Sequence, residues 1–170
     1  MHPISMHIME YLIMRHVENY ANCLDVGAFN VNGSYRDFID DSKYFGLDIA
    51  AGPGVDFVVG PDSEWNLPMQ FDLVISGQCL EHCEHPWLIL EEMGKACKIG
   101  GTCLLIAPHV IPIHRYPIDC YRYCPDGMKA LLKWGGFEPV ESDVVLAQEK
   151  PCLMVDCYGV GVKKRTATNR

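Results

Sequence analysis

The apolar N-terminal region lacks any run fit to cross a bilayer. Its longest uninterrupted stretch is Tyr11-Leu12-Ile13-Met14, with His7, Glu10 and Arg15 breaking the rest, whereas a spanning helix needs roughly 20 apolar residues. The basic start of a secretory signal is missing too, so no membrane partner is expected. Positive charge is scarce: 14 Lys and Arg face 22 Asp and Glu, for a formal net charge of -8. Chains that track phosphate backbones concentrate Lys and Arg on one face, so no nucleic acid is expected either, and a small or neutral molecule fits better. Low-complexity tracts and internal repeats are absent, which removes fibrous and solenoid architectures. Cysteine, by contrast, is plentiful. Nine in 170 residues would suggest disulfides in a secreted chain. The count is odd, however, the spacings are irregular and several lie in apolar runs, so reduced thiols in a cytoplasmic protein are expected.

The length suits one domain, expected over residues 1–162, with a disordered basic tail over 163–170. Pro3 can open a helix whose Ile8, Met9, Leu12, Ile13 and Val17 form one apolar stripe. Cys23-Leu24-Asp25-Val26 reads as a buried strand entering a turn at Gly27, followed by a helix carrying Tyr35, Phe38 and Ile39. Residues 44–49 and 55–59 read as two further strands. Only Ala50 to Gly54 separate them, too few for the usual crossover of a dozen or more, so the helix between them is expected to be missing. Phe71–Ser76 is the clearest strand. Pro86 then opens a helix with Ile89, Leu90, Met93 and Cys97 in phase and Gly100-Gly101 as its stop, and Thr102–Ala107 is a fifth strand. Pro125 opens a helix through Met128, Leu131 and Leu132. Phe137–Leu146 and Cys152–Val162, separated by Gln148-Glu149-Lys150-Pro151, close the chain as an antiparallel pair. The pattern predicts an α/β, Rossmann-like, mostly parallel sheet of seven strands with an antiparallel C-terminal hairpin. Such sheets bind ligands at the carboxyl ends of their strands, where strand order reverses.

Two features stand at those ends. Asp25-Val26-Gly27-Ala28-Phe29-Asn30-Val31-Asn32-Gly33 follows the first strand, where small residues let backbone amides approach a ligand. Asp48 ends the second strand, about twenty residues on, where a carboxylate can hold both hydroxyls of a ribose. Singly, each has a plainer explanation: a turn for the glycine, a cap or a solvated charge for the aspartate. Together they describe an adenosine site. A pyrophosphate would need close backbone approach, usually through Gly-x-Gly-x-x-Gly, and Phe29 stands where the second glycine belongs. A nicotinamide cofactor is thus disfavoured.

The order Leu24-Asp25-Val26-Gly27, Gly46-Leu47-Asp48, Phe71-Asp72-Leu73-Val74-Ile75-Ser76, Leu80-Glu81-His82 and Lys98-Ile99-Gly100-Gly101 resembles the class I S-adenosylmethionine (SAM)-dependent methyltransferases, in particular their type 11 group. Pro112-Ile113-His114 through Pro125-Asp126-Gly127, then Leu131-Leu132 and Gly135-Gly136-Phe137, extend the resemblance over roughly residues 22 to 140. It implies SAM as cofactor. By the same resemblance Asp25 and Gly27, with Ala28 and Phe29 beside them, border the methionine end, and Asp48, with Ile49 next to it, binds the ribose. Pro61, Asp62 and Ser63 lie beside the adenine. Ser76, Gly77 and Gln78 floor the pocket near the sulfonium, and His82 lines it. Family members commonly carry glycines two and four places after the first; here those places hold Phe29 and Val31, so Asn30, Asn32 and Gly33 are expected to shape the loop instead.

Methyl transfer mainly requires alignment of nucleophile, methyl and leaving group, with a base where the acceptor is a hydroxyl or a protonated amine. The segment 108–123 follows the fifth strand and is too long and too rich in polar rings for a mere connector. Within it His109 and His114 are candidate bases and Asp119 an orienting partner, while Tyr116, Tyr121 and Arg122 are candidate acceptor contacts. For each histidine, a loop side chain bonded to backbone is the blander alternative. Cys79, His82, Cys83 and His85 are metal-ligand types within seven residues, but no second pair with standard spacing follows, so no metal is expected. The expected partner is a small-molecule acceptor methylated at O or N, and the chain is expected to be a monomer or weak homodimer. A SAM-binding protein without turnover and, less favoured, a nicotinamide-dependent oxidoreductase remain as alternatives.

Overall fold

The computed structural model describes residues 3–147 and 154–165. One sheet of seven strands organises it: β1 (Cys23–Val26), β2 (Tyr44–Asp48), β3 (Phe57–Val58), β4 (Phe71–Gly77), β5 (Cys97–Val110), β6 (Phe137–Ala147) and β7 (Met154–Lys163). Their order across the sheet is β3-β2-β1-β4-β5-β7-β6. The first five are parallel to one another, and β7 runs antiparallel to both β5 and β6. The mostly parallel sheet closed by an antiparallel pair is therefore as expected. Strand order reverses between β1 and β4, so the chain leaves both of those strands at a shared crevice.

Residue alternation assigns the two faces. Leu24, Val26, Val74, Cys103 and Leu105 join Leu90, Met93, Met128 and Leu132 in one core, formed against helices α2 (Pro86–Ala96) and α3 (Pro125–Trp134). Cys23, Leu73, Ile75, Leu104 and Ile106 point the other way, into a core with Ile8, Met9 and Leu12 of helix α1 (Pro3–His16). Period-two alternation within strands buried on both faces produces the continuous apolar runs of the sequence. Proline at the first turn starts both α2 and α3, where its missing N–H has no helical partner to lose.

Two departures have physical causes. The helix expected around Tyr35, Phe38 and Ile39 is only one short 3-10 turn, Tyr35–Asp37, capped by Ser34 Oγ on the Arg36 amide. The loop has spent its length before that point, on the Asn30 side chain accepting from the Gly33 amide. The α2 helix stops at Ala96, and β5 starts at Cys97 rather than Thr102, with Gly100 in a left-handed conformation (φ 85°) where the register with β4 shifts. The β2–β3 connection carries no helix, as its length required, and β3 is a two-residue edge strand. At the end of the chain Lys163 completes β7, its ammonium donating to the Gly135 carbonyl at 3.0 Å. The turn Gln148–Pro151, the start expected at Cys152 and the tail residues Thr166–Arg170 lie outside the described residues. No helix among the described residues is long and apolar enough to cross a membrane.

Leu104, fully buried in the α1-facing core, is expected to lose about 2–5 kcal/mol of stability on Leu104→Ala. Urea unfolding followed by circular dichroism checks this; a loss well under 1 kcal/mol would mean that α1 does not seal that face.

Candidate functional site

The turn after β1 is fixed by the ends of its neighbours. The Gly27 and Ala28 amides both donate to the Leu47 carbonyl, at 2.9 and 3.1 Å. One residue further, the Phe29 amide donates to Asp48 Oδ2 at 3.0 Å, while the Ala50 amide donates to Oδ1 at 3.2 Å. Glycine loop and carboxylate thus converge, as the adenosine reading requires. Gly27 itself adopts φ 86°, and a Cβ built there would lie 2.6 Å from Cys79 Cβ. No L side chain fits, and the turn after β4 closes directly over the turn after β1. Phe29 packs its ring against Gly52 in the β2–β3 loop, where an added Cβ would come within 2.3 Å of it. The bulky residue in the glycine loop therefore points away into its own support.

Several residues assigned to the cofactor by resemblance are placed otherwise. Asp25 is buried on the α1 side and accepts a hydrogen bond from the Tyr44 hydroxyl. Ser76 is fully buried and donates to the Val26 carbonyl at 2.8 Å, tying β4 to β1 rather than lining open space. Gly77 is pressed against the Tyr35 hydroxyl, which in turn shares a hydrogen bond with Ser5. Gln78 is the first residue of that strand end to turn outward, at φ 55°, with its amide donating to Asp156 at 3.0 Å. Ile49 is exposed. Pro61 and Asp62 are exposed beside half-buried Ser63, and Asp62 pairs with His85 at 2.7 Å. A polar depression of about 260 Å³ among Asn30, Ser34, Arg36, Asp37 and Gly54–Asp56 includes none of these cofactor or acceptor candidates.

The long segment after β5 is stapled onto the turn Leu80–His82. The Cys120 amide donates to the Glu81 carbonyl at 2.7 Å, the Tyr123 hydroxyl to the Leu80 carbonyl at 2.8 Å, and the Tyr121 hydroxyl to the Glu84 carbonyl at 2.9 Å. His82 Nδ1 meets the Ile118 carbonyl at 2.6 Å, and the His82 and His114 rings meet edge to face, 5.0 Å between centroids. Asp119 accepts two bonds from Arg122, at 2.6 and 2.8 Å, and one from the His114 amide at 2.8 Å. The guanidinium hydrogen bonds hold its carboxyl well below the usual range. His109 is half-buried, with Nδ1 on the Tyr123 carbonyl at 2.6 Å. Tyr116 stands mostly exposed at the tip.

Two acids missed or misplaced by sequence reasoning are the most perturbed. Burial pushes Asp25 up to about 7 against the opposing Tyr44 hydrogen bond. Burial, with repulsion from Asp156 and Asp119, pushes Glu81 up to about 8. Neither Oε of Glu81 has a hydrogen-bond partner. The sequence offers a weak signal for it, an acid directly after the apolar Leu80 at a strand end, but burial is a property of the packed fold.

Among known proteins, the family pattern of a methyltransferase domain matches residues 36–105. That span takes in β2 to most of β5 and begins after the Gly27 turn. The 1,6-didemethyltoxoflavin-N1-methyltransferase of Burkholderia thailandensis, solved with S-adenosylhomocysteine, is 19% identical with a TM-score of 0.71, covering 95% of this chain and 79% of that one. The [4+2]-cyclase SpnF is 15% identical with a TM-score of 0.71 over 94% and 81%. The sugar N-methyltransferase KedS8 of Streptoalloteichus is 12% identical with a TM-score of 0.66 over 96% and 88%. No curated protein matches by sequence.

Asp25 titrates above its unfolded value of about 3.9, so its contribution to stability is full below about pH 4 and is lost as pH rises through about 7. Asp25→Asn, which can still accept from Tyr44, is expected to flatten part of the decline in thermal midpoint across that window; an unchanged slope would contradict the assignment. The match over residues 36–105 is to a methyltransferase domain, and the whole chain shares its fold with structurally known methyltransferases.

Proposed function

We propose that the chain transfers a methyl group from SAM to an O or N nucleophile of a small molecule. The observation that carries this reading is the meeting of the Gly27 turn, the Asp48 carboxylate and the Cys79 turn at the β1/β4 reversal. Side-chain-free backbone at Gly27 fits the close approach of a methionine moiety, and Asp48, fixed by two amides, fits a ribose diol. SAM supplies a methyl group already activated by positive sulfur. The chain's own part is to bind, align and take up a proton. Asp48 holds the ribose; Pro61, Asp62 and Ser63 flank the adenine; Gln78 and His82 face the reacting end. Asp25 and Ser76 act one layer behind, by holding β1, β2 and β4 in register.

The stapled segment 108–123 supplies the acceptor side, with Tyr116, Tyr121 and Arg122 as contacts. His109 or His114 takes the acceptor's proton, and Asp119 orients His114 through its amide bond at 2.8 Å. The relatives named for a toxoflavin precursor and for a sugar support a small acceptor, and the net charge of -8 argues against nucleic acid. We take the protein as a cytoplasmic monomer or weak homodimer. A second reading, SAM binding without methyl transfer, is favoured by Phe29 and Val31 in the glycine loop and by a cyclase sharing the fold.

Asp48→Ala is expected to weaken SAM binding about tenfold or more by calorimetry; unchanged affinity would remove Asp48 from the ribose site. With radiolabelled SAM and a panel of small acceptors, methyl incorporation is expected, and His109→Ala or His114→Ala should lower kcat more than cofactor affinity. Tight SAM binding with no transfer to any acceptor would favour the second reading, and full activity in both histidine variants would discard the proposed bases.

A further inference from the structure

Glu81, His82 and His114 bring three ligand-type atoms to within 4.8 Å of one another. The sequence set aside a metal because Cys79, His82, Cys83 and His85 form one contiguous patch without a distant second pair. The fold changes the set: it supplies His114 from thirty-two residues further on, carried there by the stapled segment, and a carboxylate from inside the turn.

Ring lone pairs converge here on a carboxyl whose proton burial retains above neutral pH. The Ile118 carbonyl can only accept, so its partner, His82 Nδ1, carries the ring proton and Nε2 presents a lone pair. That Nε2 faces Glu81 Oε1 at 3.6 Å, beyond hydrogen-bond distance. His114 repeats the arrangement: Nδ1 lies 3.3 Å from the Pro112 carbonyl and 3.6 Å from Asp119 Oδ2, which leaves Nε2 as its ligating nitrogen. Carbonyl and carboxylate support behind imidazole is the usual outer shell of a metal-bound histidine. Glu81 has no exposed side-chain surface and no hydrogen-bond partner on either oxygen; burial favours its protonated form, and a cation taking the place of that proton would leave the buried carboxylate paired. The cation of this region, Arg122, is committed to Asp119 through both terminal nitrogens.

We propose that Glu81, His82 and His114 bind a divalent first-row transition ion. Two imidazoles and one carboxylate suit zinc, cobalt, manganese or iron and leave coordination positions open. Magnesium and calcium favour oxygen ligands throughout and fit less well. Tetrahedral ligands about 2.0–2.2 Å from one ion lie about 3.3–3.6 Å apart, so the widest of the three separations has to close by roughly 1.2–1.5 Å, a movement the partly exposed His114 on its loop can supply. With His114 as a ligand, the proton-accepting role falls to His109. On the methyl-transfer reading, an ion here favours acceptors that ligate through oxygen, such as vicinal hydroxyls; the binding site itself does not rest on that reading.

The test is Co²⁺ titration of chelator-stripped, reduced protein, followed by visible absorption with no SAM or acceptor present. One equivalent is expected to bind with the bands of a nitrogen- and oxygen-ligated ion, and His82→Ala and His114→Ala should each weaken it about tenfold or more. His114 is partly exposed on the loop, so its variant keeps the test open should Glu81→Gln fail to fold. Absence of the bands, equal affinity in both histidine variants, or a thiolate-to-cobalt charge-transfer band placing the ion on cysteine would each overturn the proposal. A failed titration leaves SAM binding and methyl transfer measurable as before, so the two readings fail separately.

Discussion

A single backbone position sets the geometry of the site. Gly27 ends β1 in a left-handed conformation, and the turn after β4 presses Cys79 into the space a side chain would take. That contact exists only because β1 and β4 are neighbours whose connections leave on opposite sides. Once the two turns touch, the end of β2 is drawn in as well, since the amides of Gly27, Ala28 and Phe29 have nowhere to bond except Leu47 and Asp48. Backbone groups buried near a strand end must find such partners. The Asp48 carboxylate is therefore positioned by the demands of the turn.

The two buried acids show how differently the fold treats charge around that point. Asp25 sits within β1, where the Tyr44 hydroxyl answers it and Tyr35 and Ser5 continue the polar chain behind. Its protonation is a structural matter. Glu81 sits in the turn just beyond the carboxyl end of β4, under the segment that carries His114 and Asp119, and neither of its carboxyl oxygens has a hydrogen-bond partner. Both carboxyls are raised by burial, but only the second lies among imidazole nitrogens that are themselves acceptors. The segment 108–123 therefore covers a buried acid whose oxygens have no hydrogen-bond partner.

Much of the sheet was legible because strands buried on both faces write continuous apolar runs: Cys23–Val26 and Phe71–Ser76 fall within one residue of the observed β1 and β4. The missing β2–β3 helix followed from chain length alone. The helix after β1 misled because Tyr35, Phe38 and Ile39 have helical spacing but serve as core contacts from a 3-10 turn and an irregular loop. The placement of Asp48 beside the Gly27 turn was legible from its position at a strand end. The roles of Asp25 and Ser76 were not, since strand alternation decides which face a residue takes, and resemblance does not report it. Glu81 and His114 are far apart in sequence, and the staples at Ile118, Cys120, Tyr121 and Tyr123 bring them together.

The most direct measurement is a crystal structure of the protein with S-adenosylhomocysteine. The account predicts the ribose hydroxyls on Asp48, with the amino-acid end lying over the Gly27 turn beside Cys79 and Gln78. Density for the nucleoside anywhere else on the molecule, or a Gly27 crevice that stays closed by Cys79 at saturating ligand, would contradict it.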